Sequence, residues 1–84
     1  MTDFEFIWDE QPGGNVEHIA ANGLTPEDVE CAFEFIIRHD MSRSSGRPMI
    51  YGYSLDDREI VVIYDVIAER TLYVVTAYEP SEQG

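Results

Sequence analysis

From Glu59 to Asp65 the chain reads Glu-Ile-Val-Val-Ile-Tyr-Asp, with apolar residues on odd and even positions alike. A strand with one face in water alternates, so a short run that does not alternate specifies a strand covered on both sides. The flanking runs fit that role. Upstream, Met49 to Ser54 places Met49, Tyr51 and Tyr53 on one parity, and downstream Thr71 to Tyr78 is rich in β-branched and aromatic residues. The links Leu55-Asp56-Asp57 and Ile67-Ala68-Glu69-Arg70 are too short for the crossover that parallel neighbours need. The back half, Arg47 to Tyr78, is therefore expected to form an antiparallel meander whose middle strand is central.

The front half supplies the cover. Phe4, Phe6 and Trp8 alternate with Glu5 and Ile7, which predicts a short first strand at the edge of the meander, ended by Asp9-Glu10-Gln11-Pro12-Gly13-Gly14. Asn15 suits the N-cap of a helix of about two turns, with Val16, Ile19 and Ala20 on one side and a stop at Asn22-Gly23. A second helix starts at Thr25 as N-cap, with Pro26 in the first position and Glu27 and Asp28 in the first turn. Val29, Ala32, Phe33, Ile36 and Ile37 follow at helical spacing, which predicts that the helix runs to Arg38 and His39 and lays this stripe on the sheet. Cys31 and Phe35 fall off the stripe, as a second contact surface or as peripheral core. Asp40 to Pro48, with Arg43 and Arg47, is a basic, flexible segment with room for a very short strand. The expectation is one α+β domain over residues 1–84: a short strand, two helices on one face, and a three- to four-stranded meander, folded over 1–79 with a flexible tail from 80 to 84.

Five arginines, no lysine and seventeen carboxylates leave a net charge of −12. A surface of that sign repels phosphate backbones and anionic membranes as a whole, while leaving room for a locally positive cleft or a basic partner. A hydrophobic fraction of 44% belongs to a folded chain, so the charge does not signal disorder. The lone Cys31 makes no intramolecular disulfide, and no apolar run has the length of a signal peptide or a membrane span. The cytoplasm is the expected compartment.

Several phrases, in order, resemble the BrnT-type toxins, small RelE-like ribonucleases of type II toxin-antitoxin modules. They are Trp8-Asp9-Glu10, Asn15-Val16-Glu17-His18-Ile19, Asn22-Gly23-Leu24-Thr25-Pro26-Glu27-Asp28, Arg43 to Pro48, and Gly52 with Arg58 leading into the central strand. The resemblance spans nearly the whole chain. It implies a RelE/BrnT-like fold, a metal-independent endoribonuclease with no cofactor, and neutralisation by an antitoxin from an adjacent gene. Such cleavage attacks the phosphate with the neighbouring 2′-hydroxyl, and so needs a proton acceptor, cations for the phosphorane and a donor to the leaving oxygen.

Under this resemblance His18, Arg47, Arg58 and Tyr78 are the candidate catalytic residues, and Arg43 and Trp8 the candidate RNA-binding ones. Each has a plainer role open to it. His18 can be a surface or helix-supporting histidine; Arg43, Arg47 and Arg58 can pair with carboxylates such as Asp56, Asp57 or Asp65; Trp8 can be core. Tyr78 stands where the BrnT pattern carries arginine, and Glu17 where a basic residue sits beside the histidine. Asp9, Glu10 and His18 have no recognised metal-ligand spacing, and Gly13-Gly14 lacks the rest of a phosphate loop. A second function class stays open: a non-catalytic module of the same fold that binds a protein partner or a second copy of itself.

Overall fold

The computed structural model describes residues 4–80. In chain order the elements are β1 (Glu5–Ile7), α1 (Asn15–Ala20), α2 (Pro26–Glu34), β2 (Ile36–Met41), β3 (Pro48–Tyr53), β4 (Glu59–Ala68) and β5 (Thr71–Tyr78). They form an α+β domain with one five-stranded sheet in the order β1-β5-β4-β3-β2. β2 to β5 make an antiparallel meander, and β1 joins the far edge parallel to β5 through Phe6 opposite Leu72. The sheet is thus mixed, one strand wider than the meander itself. The expected tail lies, from residue 81 on, outside the described residues.

Ile60, Val61 and Val62 are consecutive and buried, as a strand covered on both faces requires. On one face Ile50, Ile60, Val62, Leu72 and Val74 meet Ile19, Leu24, Val29, Ala32 and Phe33 from the helical layer. Each fully buried isoleucine or leucine contributes roughly 2–3 kcal/mol by leaving water. The Phe33 ring lies edge-on to Phe6 and Tyr64, each at 5.2 Å between centroids. At Gly52 a Cβ would collide with the Ala32 carbonyl oxygen, so the missing side chain is what lets α2 lie close on β3.

Two helix boundaries differ from expectation. α2 begins as the sequence predicts, because the Thr25 hydroxyl accepts from Asp28 N–H at 3.2 Å and the Asp28 carboxylate accepts from Thr25 N–H at 3.0 Å. It stops at Glu34, however. Phe35 leaves helical geometry at φ −130° and ψ 56°, and Ile36 to Met41 become a strand. Ile36 and Ile37 are stiff at χ1 and favour extended backbone, so pairing with β3 outweighs another helical turn. Asn15 is not an N-cap either; Gly14 is, with no side-chain cap bond. Asn15 instead accepts from Asp9 N–H at 2.7 Å and donates to the carbonyls of Ile7 at 2.8 Å and Val74 at 3.0 Å, tying β1, α1 and β5 together while 3% exposed. Ala20, placed on the packing side by spacing, is exposed. No helix among the described residues is long and apolar enough to cross a membrane.

Candidate functional site

Both helices lie on one face of the sheet, and the strand registers dictate what the other face carries. One row runs Arg38, Tyr51, Val61, Tyr78 across β2, β3, β4 and β5, and the next runs Asp40, Met49, Ile63, Thr76. Side chains in register share a face, so two tyrosines flank Val61 and an arginine closes the row. The Arg38 guanidinium lies over the Tyr51 ring at 4.1 Å from its centroid, a cation–π contact. A hydrogen bond with Tyr51 raises Arg38 further above the range in which a guanidinium, permanently charged in any case, could lose its proton.

A groove of about 530 Å³ opens beside this row, between the sheet and the turn that joins β2 to β3. Arg38, Met49, Tyr51 and Tyr78 line it from the sheet, and Asp40, Ser42, Arg43 and Ser44 line it from the strand end and turn. The turn is closed by Ser42 N–H to the Arg47 carbonyl at 2.8 Å and Gly46 N–H to the Ser42 carbonyl at 2.7 Å, with Gly46 at φ 71°. The lining holds two arginines against one carboxylate, in a chain whose overall balance is steeply acidic. Chemically its lining offers two cations, two tyrosine rings and serine hydroxyls.

Arg43 and Tyr78 are the two sequence-predicted site residues that the fold brings to this groove. Arg47 is on the same face of the sheet, but its Nε donates to both carboxylate oxygens of Asp65, at 2.9 and 3.1 Å. Arg58 belongs to another part of the molecule. It pairs with Asp56 at 2.8 Å, Glu79 at 3.3 Å and Asp28 at 3.7 Å, and donates to the Gly23 carbonyl at 3.4 Å, where the helices meet the sheet. Arg47 and Arg58 therefore serve separate carboxylate sets. His18 is exposed on α1, and Trp8 donates from Nε1 to Glu30 at 2.9 Å while stacking on Phe6 beside the core.

Asp56, Cys31 and Tyr64, outside the groove, depart from their ordinary acidity through burial or structural hydrogen bonds. Bonds from the Ser54 hydroxyl and Arg58 push the Asp56 carboxyl below its ordinary range. Burial, reinforced by Glu34, Asp28 and Asp57, raises the Cys31 thiol, which leaves it a poor nucleophile. Burial likewise raises Tyr64. Asp9 accepts from Gln11 N–H at 3.0 Å, and among the described residues no three His, Cys, Asp or Glu side chains converge as a metal site would require.

Sequence periodicity misses Arg38 and Tyr51. Extending α2 through Ile37 turns Arg38 into a helix-terminal charge, and Tyr51 becomes one more strand aromatic. The signal for both is the β-branched pair Ile36-Ile37 just before the basic segment, which starts the strand that aligns them. No family model, curated protein or solved structure matches this chain.

Proposed function

We propose that this chain is a diverged RelE/BrnT-like toxin-family protein whose helix-free sheet face holds RNA, with an antitoxin as its neutralising partner. The observation that supports it is the groove: Arg38 and Arg43 around a floor of Tyr51 and Tyr78. A lining arginine engages a phosphate by bidentate bonds, and a tyrosine face stacks on an unpaired base. Screening over about 8 Å at physiological salt lets the local arginines outweigh carboxylates elsewhere on the surface. In cleavage the Asp40 carboxylate, the one carboxylate of the groove, accepts the 2′-hydroxyl proton, the arginines stabilise the phosphorane, and the Tyr78 hydroxyl donates to the leaving oxygen.

Fluorescence anisotropy with a short single-stranded RNA, together with growth and RNA integrity after induced expression, tests this. Wild type binds with a salt-dependent affinity and arrests growth. The Arg38→Ala, Arg43→Ala double variant loses binding, and its salt slope falls by about one unit per arginine removed. RNA binding indifferent to those changes, or unperturbed growth with intact RNA, sinks the nuclease.

A second reading is the non-catalytic interaction module of the same fold. It is favoured by Arg47 and Arg58 being engaged by carboxylates rather than turned to the groove. Unperturbed growth with intact RNA and no RNA binding, together with self-association or a bound protein partner, selects it.

A further inference from the structure

We propose that two copies of this chain associate edge to edge through β2, antiparallel and centred on His39, to make one continuous sheet. The inference rests on the sheet edge; Arg38 and Asp40 belong both to that edge and to the groove, so the association is read by sedimentation with no RNA present, apart from any test of groove binding. β2 is the terminal strand of the sheet, and from Ile37 to Met41 every residue is exposed. The Ser42 N–H to Arg47 carbonyl bond fixes the phase of the ladder. Bonded and non-bonded pairs alternate in an antiparallel ladder, so Asp40 and Arg38 bond inward to β3 while Met41 and His39 direct their backbone groups outward. The Met41 N–H bears this out, since its partner is the neighbouring Asp40 carboxylate at 2.8 Å rather than β3. An edge of this kind is a template for another strand.

The charge pattern names that strand. Registers centred on Arg38 or Asp40 set that residue against its own copy. The register centred on His39 sets Arg38 opposite Asp40 of the second copy, twice over, and sets Ile37 opposite Met41. Ile37 and Met41 are 46% and 62% exposed in the single chain, and this pairing covers them. Arg38, Asp40 and Arg43 also make this edge the least acidic part of the chain, so copies that repel elsewhere meet where repulsion is weakest. The regular ladder of β2 runs from Arg38 to Met41, with a register shift between Ile36 and Arg38, and in the dimer the Met41 N–H exchanges its local bond for a backbone acceptor of the second copy, which releases Asp40 to Arg38.

Sedimentation of the full chain over a wide concentration range tests this. Wild type reaches twice the 9.6 kDa chain mass and dissociates on dilution, as a six-residue edge implies. Arg38→Asp and Asp40→Arg each set like charges in register and abolish the dimer, while the double exchange Arg38→Asp, Asp40→Arg restores it. The two single variants, mixed, form a heterodimer. A wild type that stays monomeric at every concentration overturns the proposal, as does a dimer indifferent to the single changes or single variants that stay apart when mixed. Circular dichroism of each variant separates loss of pairing from loss of fold, and His39→Pro, at an edge-strand position whose N–H faces away from β3, abolishes the dimer while the circular dichroism of the single chain is kept.

Discussion

Arg58 and Arg38 occupy opposite situations. Arg58 joins the turn after β3, the linker between the helices, the start of α2 and the chain beyond β5, with a carboxylate or carbonyl at each contact. Arg38 lies on the face that the helices leave uncovered, over a tyrosine and at the mouth of a groove. An arginine surrounded by acceptors from four segments is holding segments together. One that offers its donors to a concavity has them available for a ligand. The same division runs through the sheet: the face under α1 and α2 is closed by Ile50, Val62 and Val74, and the other sets Arg38, Asp40, Tyr51 and Tyr78 around the apolar Met49, Val61 and Ile63.

The sharpest way to break this comparison uses two neighbours on opposite faces of β3. Ile50→Ala empties a fully buried position and is expected to cost about 3–4 kcal/mol in chemical denaturation. Tyr51→Ala removes a half-buried ring from the groove floor and is expected to cost about 1–2 kcal/mol while abolishing groove binding. Equal costs would make the uncovered face a second core and remove the ground for a site there.

The arginines give the next largest difference. Arg58→Ala leaves Asp28, 6% exposed, without its cation, and is expected to destabilise by about 1–2 kcal/mol with groove binding unchanged. Arg47→Ala breaks one half-exposed pair with Asp65 and is expected to cost less than about 1 kcal/mol. Thermal and urea unfolding of the two variants side by side decides it. An Arg47 effect as large as that of Arg58 would place Arg47 among the structural arginines.

How far these roles could be read from sequence depends on whether local chemistry or strand register decides them. The start of α2 was legible, because Thr25, Pro26 and Asp28 complete a capping box within four positions. The central strand was legible from the apolar run Ile60 to Ile63. The end of α2 was not, since Ile36 and Ile37 satisfy helical spacing as well as a strand and no glycine or proline marks the stop; pairing with residues sixteen positions away at Gly52 settles it. Arg43 and Tyr78, which line the groove, are candidates in sequence only through the resemblance to the BrnT-type toxins, as are His18, Arg47, Arg58 and Trp8, which the fold places elsewhere. Arg38 required the register of β2, and the diversion of Arg58 required knowing that Gly23, Asp28 and Glu79 gather around it. Asn15 shows the same limit: its type and position suit a cap, yet a carbonyl fifty-nine residues away claims its side chain.

The smallest effect is electrostatic and tests whether the Arg58 assembly behaves as a charged network. The folded Asp56 carboxyl is depressed by the Ser54 hydroxyl first and Arg58 next, relative to an ordinary value of 3.8. Between that value and the lower folded one, the unfolded chain binds the proton more readily, so acid favours unfolding through this group. Its contribution is complete above the ordinary aspartate range and is lost as pH falls through the folded value. Asp56→Asn removes the titration. The stability difference between wild type and Asp56→Asn, measured by urea unfolding, is therefore expected to be constant from neutral pH down to the ordinary aspartate range and to narrow below it. In an Arg58→Ala background the narrowing weakens, since one of the two groups that depress Asp56 is gone. A difference that keeps the same size into strong acid would mean that Asp56 acts by shape alone, and the contrast between a network arginine and a ligand-facing arginine would then rest on Asp28 and Glu79.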